Sequence, residues 1–281
     1  MKLYKKSGVL LCALLFVALS GVIIAAAETV QNPFDVSGLV FTEKYSHNFD
    51  GKTSEEIYAE WNGVVKAERP QAVTDDGWLM ADWDTKIGVG YSFKQTYRNV
   101  RYDFDLKYKS TGSISHATTV FRSSSNAGNF YGGLQAGSTS GNVNGVAFNY
   151  FNSCAQPGKM TITVADSKGE IMNQCAQFEL PYPQNVDFQE KTHVTVYDLD
   201  DRLLFFVENL PFAAVVFGGL DGDLYTEGTV YGSDGNSVGT FQKTVRRESN
   251  FAITARYSEV SLDNFVIAQQ PAPIEYIEPI K

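Results

Sequence analysis

Cysteine and histidine are nearly missing from this chain, with three of each among 281 residues. His47, His116 and His193 stand far apart and make no metal-ligand spacing, so a zinc module or a Cys/His redox motif is excluded. A sustained helical period is missing as well. Only Glu55–Val64, EEIYAEWNGV, could make a short helix. No glycine loop that would cradle a phosphate opens a helix, and no G-x-S-x-G marks a nucleophile. The chain has no N-x-Ser/Thr sequon and no repeat at solenoid or propeller spacing. After Ile24, no apolar run is long enough to span a bilayer.

What is present is aromatic, glycine-rich and acidic: 19 Phe, 15 Tyr and 24 Gly, with a formal net charge of −9. Lys2, Lys5 and Lys6 precede a nearly unbroken apolar run, Val9–Ile24, and Ala25–Ala27 offers a small-residue cleavage site. That pattern reads as a signal peptide over residues 1–27, with an uncleaved anchor as the alternative. Its removal leaves 20 basic and 32 acidic residues, a net charge of −12. Such a secreted domain is not drawn to nucleic acid or to an anionic membrane. Cys12 leaves with the leader. Cys154 and Cys175 then remain in an oxidising compartment, flanking an apparent hairpin whose turn is Asp166–Gly169. They are expected to form a disulfide, with two free thiols as the alternative.

The clearest local pattern is period two. In Val100–Tyr108, Tyr102, Phe104, Leu106 and Tyr108 share one side, while Arg101, Asp103, Asp105 and Lys107 share the other. A one-residue slip would bury four charges, so the register is fixed. Thr192–Val216 reads as a meander. Val194, Val196 and Leu199 fall on one side, Asp198–Asp201 turns, Leu203–Val207 returns, and a third strand starts at Phe212 after a break at Glu208–Pro211. His116–Ser123, Asn129–Ala136 and Val143–Phe151 read as further strands, Phe217–Asn250 as a long glycine-rich loop, and Phe251–Ala268 as a closing hairpin. Residues 28–44 form a lead-in with Phe34 and Val40-Phe41 as docking points, 45–268 the domain, and 269–281 a Pro-rich tail.

Strands at short intervals without helices predict an all-β sandwich or barrel. The order of NFDG (48–51), DGWL (76–79), DFDLKY (103–108), HATTVFR (116–122) and NFYGGLQ (129–135) resembles the concanavalin A-like lectin/glucanase superfamily. Within it, the likeness is to the laminin-G-like and 3-keto-disaccharide hydrolase type. His193–Phe212 and Ile253–Ile267 resemble the family's later strand pairs. The resemblance implies a two-sheet antiparallel jelly-roll sandwich whose concave face holds a polysaccharide or oligosaccharide. The family's glucanases carry two Glu and an Asp on one strand face, whereas Asp103–Lys107 here contains no Glu. The keto-disaccharide type shows an acid two residues before a Gln, and Gly133 stands there before Gln135.

Several side chains are therefore candidates. Asp103 and Asp105 share a strand face about 7 Å apart, a separation suited to acid–base glycoside cleavage; a solvated face paired with Arg101 and Lys107 is the alternative. Arg122, Tyr131 and Gln135 fall on the presumed non-core side and suit a sugar's hydroxyls. Trp83 or Trp78 would be a stacking platform or else core. Asp50 and Asp263 are expected to share a structural calcium, or to cap turns. The reading is a secreted glycan-binding domain, with a glycoside hydrolase or a structural, adhesive domain as alternatives.

Overall fold

The computed structural model of the protein describes residues 32–64, 73–83, 89–110, 116–123, 143–152, 159–256 and 258–271. In chain order the strands are β1 (Thr42–His47), β2 (Trp61–Val64), β3 (Leu79–Trp83), β4 (Val89–Phe93), β5 (Val100–Ser110) and β6 (His116–Phe121). Then come β7 (Val143–Asn152), β8 (Lys159–Glu170), β9 (Ala176–Pro181), β10 (Thr192–Leu199), β11 (Arg202–Val207) and β12 (Leu210–Gly218). The last six are β13 (Leu224–Tyr225), β14 (Glu227–Gly232), β15 (Ser237–Phe241), β16 (Val245–Arg246), β17 (Phe251–Arg256) and β18 (Ser258–Gln269). One short helix, α1 (Ser54–Glu60), is opened by a capping box between Thr53 and Glu56.

The strands form two large antiparallel sheets. A nine-stranded sheet runs β1-β18-β5-β10-β11-β12-β14-β15, with β3 also on β18; a seven-stranded sheet runs β2-β4-β17-β6-β7-β8-β9. The chain passes from one sheet to the other between β4 and β5, again between β5 and β6, and later between β9 and β10. These crossings make a jelly-roll sandwich. The expected alternation in β5 holds: Tyr102, Phe104, Leu106 and Tyr108 are buried in the core. The facing sheets meet through rings. Phe148 of one sheet stacks on Phe205 of the other at 4.4 Å, and Phe251 meets Phe265 at 4.7 Å and Phe104 at 5.2 Å. Aromatic pairs at such spacing add to the area they bury, which accounts for the abundance of Phe.

Four local expectations are corrected. Phe251–Ala268 is not a hairpin. β17 sits between β4 and β6, whereas β18 sits between β1 and β5, so each fills the interior of a different sheet. The glycine-rich stretch 217–250 is not a loop but carries β13 to β16. Its glycines mark close approach: a Cβ on Gly228 would lie 2.4 Å from the Phe241 ring and 2.6 Å from the Val216 carbonyl. Leu199 lies with Tyr197, packed against Phe34, Leu204 and Ala214, because strict alternation carries residue 199 to the side of 197. Of the lead-in docking points, Phe34 is buried, with its ring 5.9 Å from Phe206, and Phe41 lies 5.6 Å from the Tyr197 ring, but Val40 is exposed.

Phe251 touches aromatics of both sheets. Phe251→Ala should therefore lower the unfolding free energy by about 3–5 kcal/mol in urea titrations; a loss below about 1 kcal/mol would contradict this packing.

Candidate functional site

Strand β8 is longer than its partner β9, and the site begins there. The β8–β9 ladder ends at Val164 opposite Ala176, yet β8 continues along β7. Gly145 pairs with Ala165 and Val143 pairs with Glu170, so Asp166–Gly169 bulge out of the ladder. The Asp-Ser-Lys-Gly signal that reads as a hairpin turn is thus this bulge, and the chain reverses instead through the 3-10 turn Met172–Gln174. The bulge is tied to residue 244. Ser167 N donates to the Thr244 carbonyl at 2.7 Å, their hydroxyls meet at 2.7 Å, and Asp166 accepts from Thr244 N at 3.1 Å. Lys243 Nζ reaches Glu170 at 2.6 Å.

Between this bulge, the start of β5 and the β13–β16 ladder lies a cavity of about 790 Å³. Its charged lining is Arg98, Lys168, Arg246 and Arg247 against Asp223 and Glu248. Arg98 pairs with Asp223 at 2.9 Å, and Arg247 grips Asp200 with two bonds of 2.7 and 2.5 Å. Lys168 and Arg246 are exposed and make no ion pair among the described residues. Asp221-Gly222-Asp223 is an ordinary turn, closed by Asp221 and Leu224.

Behind the cavity sits Arg122, which is fully buried. Its Nε and Nη2 donate to Asp198 Oδ1 at 2.8 and 2.6 Å, and its Nη1 donates to the Arg246 carbonyl at 3.2 Å. Nη2 also reaches the carbonyls of Leu199 and Asp200, and Cζ lies 4.3 Å over the Phe217 ring. Burial pushes the Asp198 carboxyl up, with the Arg122 charge pulling against it. Arg122 therefore does not face a ligand, as strand alternation suggested. β6 ends at Phe121 and Arg122 adopts φ 54°, so the alternation stops one residue early and the side chain turns inward.

Asp103 and Asp105 do lie on the outer face of the nine-stranded sheet, but as parts of a bonded network. Asp105, only 5% exposed, accepts from Lys191 at 2.6 Å, Asn264 at 2.7 Å and His193 Nδ1 at 3.1 Å. Asp103 accepts from Arg101 at 2.7 Å and Thr195 at 2.8 Å. Burial alone would raise the Asp105 pKa. The hydrogen bonds from Lys191, Asn264 and His193 outweigh it and hold the carboxyl below the usual range. A carboxyl held ionised in this way is a poor proton donor to a leaving group.

The polar side chains at the middle of the seven-stranded sheet's outer face are buried. Thr118, Asn149, Thr161, Thr163 and Thr254 are at most 2% exposed. Asn149 is saturated, accepting from Thr118 and donating to the Thr161 carbonyl and the Thr163 hydroxyl. Beside them Val120, Val143, Ala147, Ala165 and Ala252 form a second apolar cluster. Tyr131 and Gln135 lie outside the described residues. Trp83 is in β3 opposite Ser258, and Trp78 is buried with Lys107 Nζ 4.1 Å over its ring.

Asp50 and Asp263 are neighbours in charge. Burial pushes the Asp263 carboxyl up, and the negative Asp105 and Asp50 add to this. Asp263 Oδ1 is buried without a hydrogen-bond partner. Asp50 lines a cavity of about 390 Å³ with Ser46, Asn48 and Asn264. No group of three or more His, Cys, Asp or Glu is gathered among the described residues. Cys175 is a free thiol, pushed up to about 12 by burial and by Glu170. Cys154 lies outside the described residues. The expected disulfide is not formed at Cys175, because the ladder runs on from Val164 opposite Ala176 to Lys159 opposite Pro181, so Cys175 sits at its turn end.

The sheets define an all-β, two-sheet antiparallel jelly roll, the architecture that the concanavalin A-like resemblance implied. No protein-family model matches the chain, and no curated protein matches it. Among solved structures, the catalytic domain of PdAgaC is 8% identical over 89% of this chain and 98% of its own, with a TM-score of 0.48. A legume lectin-like domain from Entamoeba histolytica is 6% identical over 81% and 97%, with a TM-score of 0.48. A carbohydrate binding module from Bacillus subtilis is 14% identical over 73% and 93%, with a TM-score of 0.42.

Arg122→Ala leaves Asp198 buried without its cation and should cost about 3–5 kcal/mol in chemical unfolding. A near-neutral result would deny the pair its anchoring role. Because the folded pKa of Asp105 is depressed, its contribution is present above the unfolded value of about 3.9 and is lost as pH falls through the folded value. The stability gap between the wild type and Asp105→Asn should thus be flat above about pH 5 and shrink below about pH 4. A gap independent of pH would sink the assignment.

Proposed function

We propose that the protein is an exported carbohydrate-binding sandwich that holds a glycan in the cavity at its rim and does not cleave it. The observation that carries the reading is that cavity. Its volume of about 790 Å³ falls in the range of small-ligand sites. Arg98, Arg247 and Ser167 present fixed polar groups to it, each already held by a neighbour. Sugar hydroxyls need such groups in fixed positions, since each bond formed must offset lost water. Export follows from the leader pattern of residues 1–27, and the acidic remainder disfavours nucleic acid and anionic lipid. Against the hydrolase alternative stands the bonding of Asp105, whose two oxygens are taken by Lys191, Asn264 and His193.

A structural calcium at Asp50 and Asp263 belongs to the same reading. A hard cation beside Asp263 would satisfy its orphaned oxygen and offset the mutual repulsion of the two carboxylates.

A glycan array probed with the chain lacking residues 1–27 tests the function. Retention without release of reducing ends is the expected result. Release of reducing ends would favour the hydrolase, and silence on every sugar would favour a structural or adhesive role. For the cation, a chelator should lower the Tm of the wild type and leave that of Asp263→Asn unmoved; equal response of the two would remove calcium from the account.

A further inference from the structure

We infer that the rim cavity recognises an acidic glycan, one bearing a carboxylate or a sulfate ester on the sugar. The inference rests on the reading of this cavity as the glycan site and names its ligand class. On a chain of net charge −9, four cations gather around one hollow against two carboxylates. Two of the four are occupied: Arg98 by Asp223, and Arg247 by Asp200. The other two, Lys168 and Arg246, are exposed and make no salt bridge among the described residues, although Lys168 lies within the field of the Asp166 carboxylate.

Both free cations ride on backbone that is fixed. Lys168 N donates to Asp166 at 3.0 Å within a bulge that is tied to residue 244. Arg246 pairs with Leu224, and its carbonyl is held by the buried Arg122. The held backbone fixes where both side chains start, and Arg matches a carboxylate or sulfate with two parallel donors. The described lining contains no aromatic ring. A neutral sugar would lack a stacking face there, and so would a nucleobase. Charge must supply what stacking does not. Glu248, also exposed, and Ser167 remain for hydroxyls. Repulsion from the acidic remainder limits contact to a short segment of a polyanion.

Affinity electrophoresis of the chain lacking residues 1–27, in gels containing polygalacturonate, alginate, a sulfated galactan or neutral β-glucan, tests this. Wild type should be retarded by at least one acidic polymer, and less so as salt rises. Lys168→Ala and Arg246→Ala should each weaken retardation about tenfold, with Tm unchanged because both side chains are exposed. Lys44→Ala, at an exposed site on β1, serves as a control for bulk charge and should leave retardation intact. Retardation by neutral glucan alone, or equal loss in all three variants, overturns the acidic-sugar inference while leaving glycan binding standing. No retardation in any gel overturns both.

Discussion

The buried Arg122–Asp198 pair governs how the rim of this sandwich is built. Arg122 leaves the seven-stranded sheet at the end of β6, and Asp198 lies near the end of β10 in the nine-stranded one. One guanidinium thus joins the two layers and also holds three carbonyls, one at the end of β10, one in the turn after it and one in β16. As net stabilisation such a pair is worth little, because taking both charges out of water costs about what their attraction returns. Its value is positional. Asp198 Oδ2 remains without a hydrogen-bond partner, so the pair is not optimised for energy. It fixes where the β13–β16 ladder sits, and through Arg246 and Arg247 it fixes one wall of the cavity.

The two outer faces of the sandwich divide charge and small polar groups between them. The nine-stranded face carries an ionic network centred on Asp105, both of whose oxygens are engaged by Lys191, Asn264 and His193. The seven-stranded face carries Thr and Asn bonded to one another, with Ala and Val beside them. Among the described residues, bonded and unbonded cations come together where strand ends and insertions meet, the kind of place where a rigid scaffold carries variable connections.

Much of the fold was legible because alternation in β5 and the meander β10–β12 depends only on local sequence. Tyr102, Phe104 and Leu106 could face only one way, and the β10–β11 turn was marked by its acidic residues, although it is confined to Asp200 and Asp201, with Asp198 and Leu199 still paired in β10. The misreadings share a cause. Glycine at 228 signals a partner strand close above it, which sequence cannot distinguish from a flexible loop. Asp166–Gly169 has turn chemistry, yet its neighbours keep it inside one strand as a bulge. Arg122 was assigned by counting alternate positions past the point where the backbone leaves the strand. The cavity itself was invisible, since Arg98, Lys168 and Arg246 come together only through contacts distant in sequence.

The placement of β17 and β18 has a consequence for how the molecule is assembled. Each is an interior member of its sheet, and they are the last two strands. Until residues 251–269 are available, the seven-stranded layer is split in two and the nine-stranded layer in three, with β1 and β3 each left unpaired. Two-sided insertion so late in the order links distant segments and makes folding slow. A chain in that condition exposes sticky borders to its neighbours. The runs β6 to β9 and β10 to β15 can pair early, so the last strands join two preformed halves of the molecule to their missing neighbours.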